Sequence, residues 1–372
     1  MGVKCSVAIY PSADWREKRE SWGAYLDLAV RYGFTEAFSS IHLPEVALGE
    51  QLDMLEALAE EVHVRGMELT ADIGGGEICE ILERPEDCER LRCLGLEFVR
   101  LDYGYSAEQA GRMYREWNLR GFMVNASTCS AGEARDLVNA LKRVGQAVEL
   151  RACHNFYPQQ YTGLSLAHFN RCNQVMKDLK LNVAAFVSSN TPGTYGPWPV
   201  NEGLCTLEMH RFKPIDFQVR HLFATGMVDD VIIANAYASE EELAACAAVN
   251  PSILTFGLVL EKELTPVEQK ILDYEPKHVV RGDLSEYMIR STWPRVTYQA
   301  EPLPAANTRD LKRGDVVILN EGYSKYKGEL HVVLEDMPND GRKNVIGHIP
   351  DYEHILLDYI EPWKVFAFQV VK

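Results

Sequence analysis

No apolar run in this 372-residue chain reaches the ~18 residues that a membrane-spanning helix needs, so no membrane role is expected. The opening "MGVKCSVAIYPS" has no long apolar stretch and no small-residue cleavage site. Export is therefore not expected, and a cytoplasmic location is. Positive charge is scarce: 38 Lys and Arg stand against 54 Asp and Glu, a net charge of −16. That argues against nucleic acid as a partner, because phosphate backbones are met by basic surfaces. The nine cysteines form no CxxC pair, and their odd number suits reduced thiols better than a disulfide framework. There is no H-x-H, no H-E-x-x-H and no His/carboxylate cluster, so neither a metal nor another cofactor is expected. The first strand–helix turn has no G-x-G-x-x-G, and "DIGGGE" after the third strand is a weak substitute. This counts against a doubly wound dinucleotide-binding sheet. Internal repeats and low-complexity segments are also missing.

What remains has the balance of a globular protein, with 47% hydrophobic and 25% charged residues, in a chain long enough for two domains. Up to about residue 250, short apolar runs alternate with segments of helical periodicity. The runs are "CSVAIYP", "EAFSSI", "MELTADIG", "FVRLDYG", "GFMVNAST", "AVELRACHNFYP", "LNVAAFVSS" and "DDVIIANAY". Gly33 and Gly66 close the first two helices, and Ser106 is a good N-cap for the helix after the fourth strand. Eight such units in ~250 residues predict an α/β fold, a (β/α)8 TIM barrel over residues 1–250. After Leu260 the pattern changes to short strands separated by Gly, Asn, Asp and Pro turns, as in "GDVVILNEGY" and "KNVIGHIP". A small all-β barrel or sandwich is expected over 255–372.

In a parallel barrel the C-terminal strand ends face the active site. Here those ends carry Tyr10; Ser39 and Ser40; Asp72; Arg100, Asp102 and Tyr103; Asn125 and Ser127; Arg151, His154 and Asn155; Ser188 and Ser189; and Asn235. A long loop after the seventh strand adds Glu202 and Glu208. Two carboxylates flanking a glycosidic bond serve as general acid and as base or nucleophile. Asp102 with Glu208 is the expected pair, with Asp72 and Glu202 as the next candidates. The expected substrate-binding set is Arg100, Asn125, Arg151, His154, Asn155, Tyr157, His210 and Arg211. Arg151, with Arg211, is expected to hold an anionic group, because a guanidinium fork matches phosphate or carboxylate oxygens. Tyr103, Phe156, Tyr157 and Trp198 are candidates for stacking on sugar rings.

The strings "FVRLDYG", "VNAS", "CHNFYPQQYTGLS", "GPWPVNEGLCTLEMHR" and "YKGEL" resemble the bacterial 6-phospho-N-acetylmuramidase family, glycoside hydrolase family 170. The resemblance runs through both halves of the chain in the same order. It implies a TIM barrel followed by a cyclophilin-like β-barrel. It also implies cleavage of the β-1,4 bond of N-acetylmuramic acid 6-phosphate–N-acetylglucosamine, a step in recycling cell-wall sugars. The chain departs from the family pattern at Ala234-Asn235, where members carry Gly-Asp, and at Cys205, where they carry proline. The expected partner is a small phosphosugar substrate, with a homo-oligomer left open. Two other readings suit the same strand-end residues: a barrel lyase or isomerase acting on a phosphorylated small molecule, and a non-catalytic sugar-binding protein.

Overall fold

The computed structural model describes residues 4–12, 14–41, 46–102, 105–128, 130–145 and 147–371. The chain divides into two compact units, Met1–Val249 and Asn250–Lys372.

In the first unit the strands are β1 (Lys4–Ala8), β2 (Glu36–Ser40), β3 (Glu68–Ile73), β4 (Phe98–Leu101), β5 (Gly121–Asn125), β6 (Glu149–Cys153), β7 (Asn182–Val187) and β8 (Asp230–Ile233). Each pairs parallel with the next, and β1 closes on β8, giving the expected (β/α)8 barrel. Interleaved with them are α1 (Trp15–Arg31), α2 (Leu48–His63), α3 (Gly75–Glu83), α4 (Pro85–Leu94), α5 (Ala107–Glu116), α6 (Ala131–Val144), α7 (Leu166–Asp178), α8 (Ile215–Ala224) and α9 (Glu240–Ala247). Ser106 does cap α5: its side chain accepts from the Gln109 amide while Gln109 reaches back to the Ser106 amide. Between β3 and β4, where the alternation predicts one helix, the structure has two. They divide at Arg84, held extended by the proline that follows, and Pro85 takes the first helical position of α4.

Alternation along the strands sets the two cores. Outward residues such as Val7, Leu69, Val99 and Val183 pack under the helices. Inward residues, among them Tyr10, Phe38, Phe98, Met123, Phe186 and Ile232, fill the lumen. Phe38 meets Phe186 edge-on across that lumen, with ring centroids 5.3 Å apart. The filled lumen separates the two barrel mouths, so which mouth a charged side chain faces decides what it can touch.

The second unit is built on a seven-stranded sheet of β9 (Leu254–Leu260), β10 (His278–Val279), β11 (Met288–Ser291), β12 (Asp315–Leu319), β13 (Leu330–Val333), β14 (Lys343–His348) and β15 (Val365–Val370), in the order β10-β15-β9-β14-β12-β13-β11. All neighbours are antiparallel except β9 and β15. The unit is not purely β: α10 (Pro266–Leu272) and the short α11 (Trp293–Thr297) are inserted between strands. "ELTPVEQKIL" carries the signals for α10, since Thr265 and Glu268 form a capping box with Pro266 at its first position.

Candidate active site

The C-terminal mouth of the barrel holds a small pocket floored by polar groups and walled by rings. The polar groups are Asp72 at the end of β3, Arg100 on β4, Asp102 just beyond it and Asn155 just beyond β6. The wall is Phe38, Phe156, Phe186 and Trp198. Phe156 stands edge-on to Phe186 at 5.1 Å and leans against Trp198 at 5.5 Å, so the rings form one connected surface. Phe38 and Phe186 were not singled out from sequence. The signal for them was the alternation in "EAFSS" and "LNVAAFVSS", which turns each ring inward with its strand.

Arg100 organises the floor. It is buried, and its Nη1 lies 3.4 Å from Asp72 Oδ1 and 3.7 Å from Asp102 Oδ1. Its Nη2 donates to Asn155 Oδ1. Burial opposes its charge, but the carboxylates of Asp72 and Asp102 and the neighbouring Cys153 outweigh that and raise its pKa. Asn125 Nδ2 donates to Asp102 Oδ1 at 2.5 Å, and Asn125 Oδ1 accepts from the Ser127 amide at 2.7 Å. Ser127 Oγ in turn accepts from the Asn155 amide at 2.9 Å. Two carboxylates on adjacent strands are thus held around one guanidinium, and each is partly exposed to the pocket. Burial raises the Tyr157 hydroxyl above its usual range, while hydrogen bonds to Ser127 and Asn155 pull it back. That places Tyr157 beside the same cluster.

Several expected site residues lie elsewhere. Arg151 is inside the barrel but toward the opposite mouth. Its Nη1 donates to Glu36 Oε2 at 3.0 Å and its Nε to Glu149 Oε1 at 2.9 Å, and it lies 3.9 Å over the Phe98 ring. With Lys4, Ser6 and Asp230 it lines the N-terminal end of the lumen. Two causes displace it. Strand β6 ends at Cys153, so Arg151 is mid-strand rather than at the lip. In addition, the ~36° tilt of barrel strands means that residues level in the hydrogen-bond ladder climb along the axis from strand to strand. Arg100, Met123 and Arg151 are level in register, yet Arg100 meets Asn155, four residues further along β6's chain.

His154 points outward, because Cys153 points in. It is fully buried, with Nδ1 3.1 Å from Ser127 Oγ and Nε2 3.1 Å from Asn173 Oδ1 on α7, and its ring packs on Phe169. Burial lowers its pKa to about 4, so it supports the site from behind as a neutral group. His210 is likewise buried, with Nε2 2.7 Å from His221 Nδ1, and burial drives its pKa well down. Asn235 ties down the loop after β7: its Oδ1 accepts from the Ser189 amide at 2.8 Å and its Nδ2 donates to Thr194 Oγ1 at 2.9 Å. Tyr103 lies outside the described residues.

Glu208 and Arg211 form a two-pronged ion pair, with Nε to Oε1 at 2.8 Å and Nη2 to Oε2 at 2.7 Å. Glu208 also accepts from the amides of Tyr161 and Gly163, both at 2.8 Å. Arg211 Nη1 donates to the carbonyls of Tyr157, Glu202 and Gly203. The pair therefore clips the loop after β6 to the loop after β7. Gly163 makes the approach possible, since a Cβ there would sit 2.7 Å from Glu208 Oε2. Glu202 is exposed and accepts from the Gln160 amide at 2.9 Å. The expected acid role of Glu208 does not fit this arrangement. Its hydrogen bonds to Arg211 hold its pKa down, at about 2, so it carries no proton to donate near neutrality.

Glu208→Gln is accordingly expected to keep turnover of the wild-type order while weakening the fold at neutral pH. A depressed carboxylate pKa contributes stability that is present above the ordinary 4.5 and is lost as pH falls through about 2. The variant's melting temperature should therefore vary less with pH across that acid window. A large loss of turnover in the variant, with its melting curve unchanged, would restore Glu208 to the chemistry.

Among the described residues, no group of three or more His, Cys, Asp or Glu could hold a metal ion, and no helix is long and apolar enough to cross a membrane.

The profile described as "6-phospho-N-acetylmuramidase, N-terminal" matches residues 5–248, and that described as "6-phospho-N-acetylmuramidase, C-terminal" matches residues 254–369. The chain belongs to the 6-phospho-N-acetylmuramidase family. Among solved structures it is similar to an uncharacterized B. cereus protein, at 35% identity and a TM-score of 0.84, covering 99% of this chain and 100% of that one. It is also similar to a conserved protein from a locus in Enterococcus faecalis with an unknown function, at 26% identity and a TM-score of 0.71, covering 99% and 96%. Comparison with functionally curated proteins gives no match. As a member of the 6-phospho-N-acetylmuramidase family the chain is a glycoside hydrolase. The carboxylates that line its barrel-mouth pocket are Asp72 and Asp102.

Proposed function

We propose that the chain hydrolyses the β-1,4 bond between 6-phosphorylated N-acetylmuramic acid and N-acetylglucosamine, with Asp72 and Asp102 as the working carboxylates. The observation that carries this reading is the shared Arg100 contact. Two carboxylate oxygens, 3.4 and 3.7 Å from one nitrogen, lie at most about 7 Å apart, a limit compatible with the ~5–9.5 Å that glycosidase carboxyl pairs span. One carboxyl protonates the leaving oxygen and the other stabilises or attacks the anomeric carbon. Arg100 holds both in place, and Asn125 fixes the Asp102 rotamer. The rings of Phe156 and Trp198 offer a face against which a pyranose packs. The same reading assigns the chain to intracellular recycling of cell-wall sugars.

The test is incubation with the phosphorylated disaccharide in 18O-labelled water, followed by mass spectrometry. Free N-acetylglucosamine and a labelled N-acetylmuramic acid 6-phosphate are expected. Release of an unlabelled, unsaturated sugar would mean elimination rather than hydrolysis, and an intact disaccharide would remove the reading.

A further inference from the structure

Ser127 and His154 lie behind the barrel-mouth pocket and line no part of it. Both are buried, at 2% and 0% exposure. Every polar atom of Ser127 is nevertheless engaged. Its amide donates to Asn125 Oδ1 at 2.7 Å, and its carbonyl accepts from His168 Nε2 at 2.9 Å. Its Oγ meets His154 Nδ1 at 3.1 Å and the Asn155 amide at 2.9 Å. Ser127 therefore joins the chain just beyond β5 to the chain just beyond β6, and both are joined to α7 through His168 and His154. Such a network is costly to bury unless its members are paired, and here the pairing runs in one direction.

The direction follows from which atoms can donate. Asn173 Oδ1 on α7 only accepts, so the His154 proton is on Nε2, 3.1 Å away. Nδ1 is then bare and accepts the Ser127 hydroxyl hydrogen. With that hydrogen committed, Ser127 Oγ turns its lone pairs to the Asn155 amide. A guanidinium only donates, so the Asn155 atom that faces Arg100 Nη2 is Oδ1. Arg100 Nε makes no hydrogen bond. The rotation of its guanidinium is thus set by Asn155 on one side and by the oxygens of Asp72 and Asp102 on the other.

We propose that Ser127 is a positioning residue for the hydrolysis, oriented by His154 and acting through Asn155 on Arg100, and hence on the Asp72–Asp102 pair. It touches no substrate. His154 and Asn173 act one step further back, by fixing where the Ser127 hydrogen points. The proposal rests on the reading of Asp72 and Asp102 as the working carboxylates.

The test is hydrolysis of the phosphorylated disaccharide by the full chain carrying Ser127→Ala, followed across pH beside Asp72→Asn and Asp102→Asn. A kcat lower by about 10–100-fold is expected, the cost of a small misplacement of reacting groups, with KM little changed. A loosened Arg100 favours the ionised carboxylates less, so the acid limb of kcat/KM should move to higher pH. Adding Ser127→Ala to Asn155→Ala should slow turnover no further, because the hydroxyl acts through that residue. Asn173→Leu keeps the hydroxyl but frees the His154 ring, and should move the limb in the same direction by less. It takes the place of Ser127→Ala if that chain does not fold. Correlation of 15N and 1H shifts in the histidine rings should show the His154 proton on Nε2, and a proton on Nδ1 overturns the proposal. So does a Ser127→Ala chain that melts lower yet keeps the wild-type kcat and acid limb, which is what a purely structural hydroxyl gives. Additive losses in the Ser127→Ala/Asn155→Ala chain overturn it as well. If both aspartate variants lose turnover and Ser127→Ala does not, this proposal fails alone. If neither aspartate variant loses turnover, the carboxylate reading fails and this proposal falls with it.

Discussion

Asp102→Asn should slow turnover by about 10²–10⁴-fold, the range expected when a positioned acid–base group is lost. Asp72→Asn should fall in the same range. The amide keeps the shape of the carboxyl, and its oxygen still accepts from Asn125, which donates to Asp102 Oδ1 at 2.5 Å in the wild type. What it removes is the ionisable oxygen and half of the charge that surrounds Arg100. Both side chains are partly exposed, at 20% for Asp72 and 31% for Asp102, so water replaces the lost interaction and the barrel should melt near the wild-type temperature. The measurement is kcat on the phosphorylated disaccharide alongside thermal unfolding. An Asp102→Asn protein with wild-type kcat would remove Asp102 from the chemistry. A collapse of the melting temperature would make it a structural ion-pair partner instead. The double replacement should be little slower than the slower single variant, because groups that act as a unit do not add.

Arg151→Met should leave substrate choice alone and damage the fold. Arg151 and Glu36 are both buried, at 7% and 2% exposure, and their 3.0 Å contact lies within the lumen far from the pocket residues. Removing one member of a buried pair costs about 3–5 kcal/mol, because the other charge is left uncompensated. For a domain of this size each kcal/mol moves the melting temperature by about 2–4 °C, so a fall on the order of 10 °C is expected. The contact with the Phe98 face is lost as well. The deficit should depend on pH with a definite sign. Burial already raises the Glu36 pKa, and Arg151 is the main group pulling it back down. A carboxyl with a raised folded pKa holds its proton more tightly in the folded state, so its contribution is present at low pH and is lost as pH rises through the folded pKa. Without Arg151 that pKa rises further. The variant should therefore be weakest at neutral and alkaline pH, and should recover as pH falls toward the ordinary glutamate value of 4.5. The ratio of kcat/KM for phosphorylated over unphosphorylated disaccharide should match the wild type. A selective loss for the phosphorylated substrate would mean that Arg151 reaches the ligand after all.

Asp72, Arg100 and Asn155 line the expected pocket at the barrel mouth, whereas Arg151 lines the opposite end of the lumen and Glu208 is clipped to the loop after β6. Asp72, Arg100, Arg151 and Asn155 each break or follow an apolar strand run, and in a barrel such breaks occur at both mouths. For Asp72 and Asp102 the run ends with the strand itself, so the lip position was legible. For β6 the polar residues begin mid-strand, where Arg151 compensates Glu36 across the lumen. No local signal separates that from a lip residue. The anchoring of Glu208 is not legible in the sequence because its partner Arg211 is three residues away, while the amides it accepts from belong to Tyr161 and Gly163, more than forty positions earlier. Spacing within the loop does not reveal a bond to another loop.

Apolar runs at helix-length intervals specify a parallel sheet covered by helices, because strand bodies buried on both faces must be apolar, and a count of eight with no dinucleotide-binding glycine motif favours the closed barrel over an open sheet. The change to short, turn-bounded strands after Leu260 marks the second unit in the same way. Those features depend on near neighbours in the chain, and so they are written there. The depth of a charged residue in the lumen is set instead by strand tilt and by the partner across the barrel, which is why Arg100 faces a pocket and Arg151 a buried glutamate. A cavity in the second unit, lined by Trp293 and Trp363, belongs to the same class of fact. Its lining comes from residues 279–283, 292–293 and 363, separated in sequence and joined only where β10, the turn into α11 and the approach to β15 pack together. Contacts between segments far apart in the chain are fixed by packing, and they become visible only once the chain has folded.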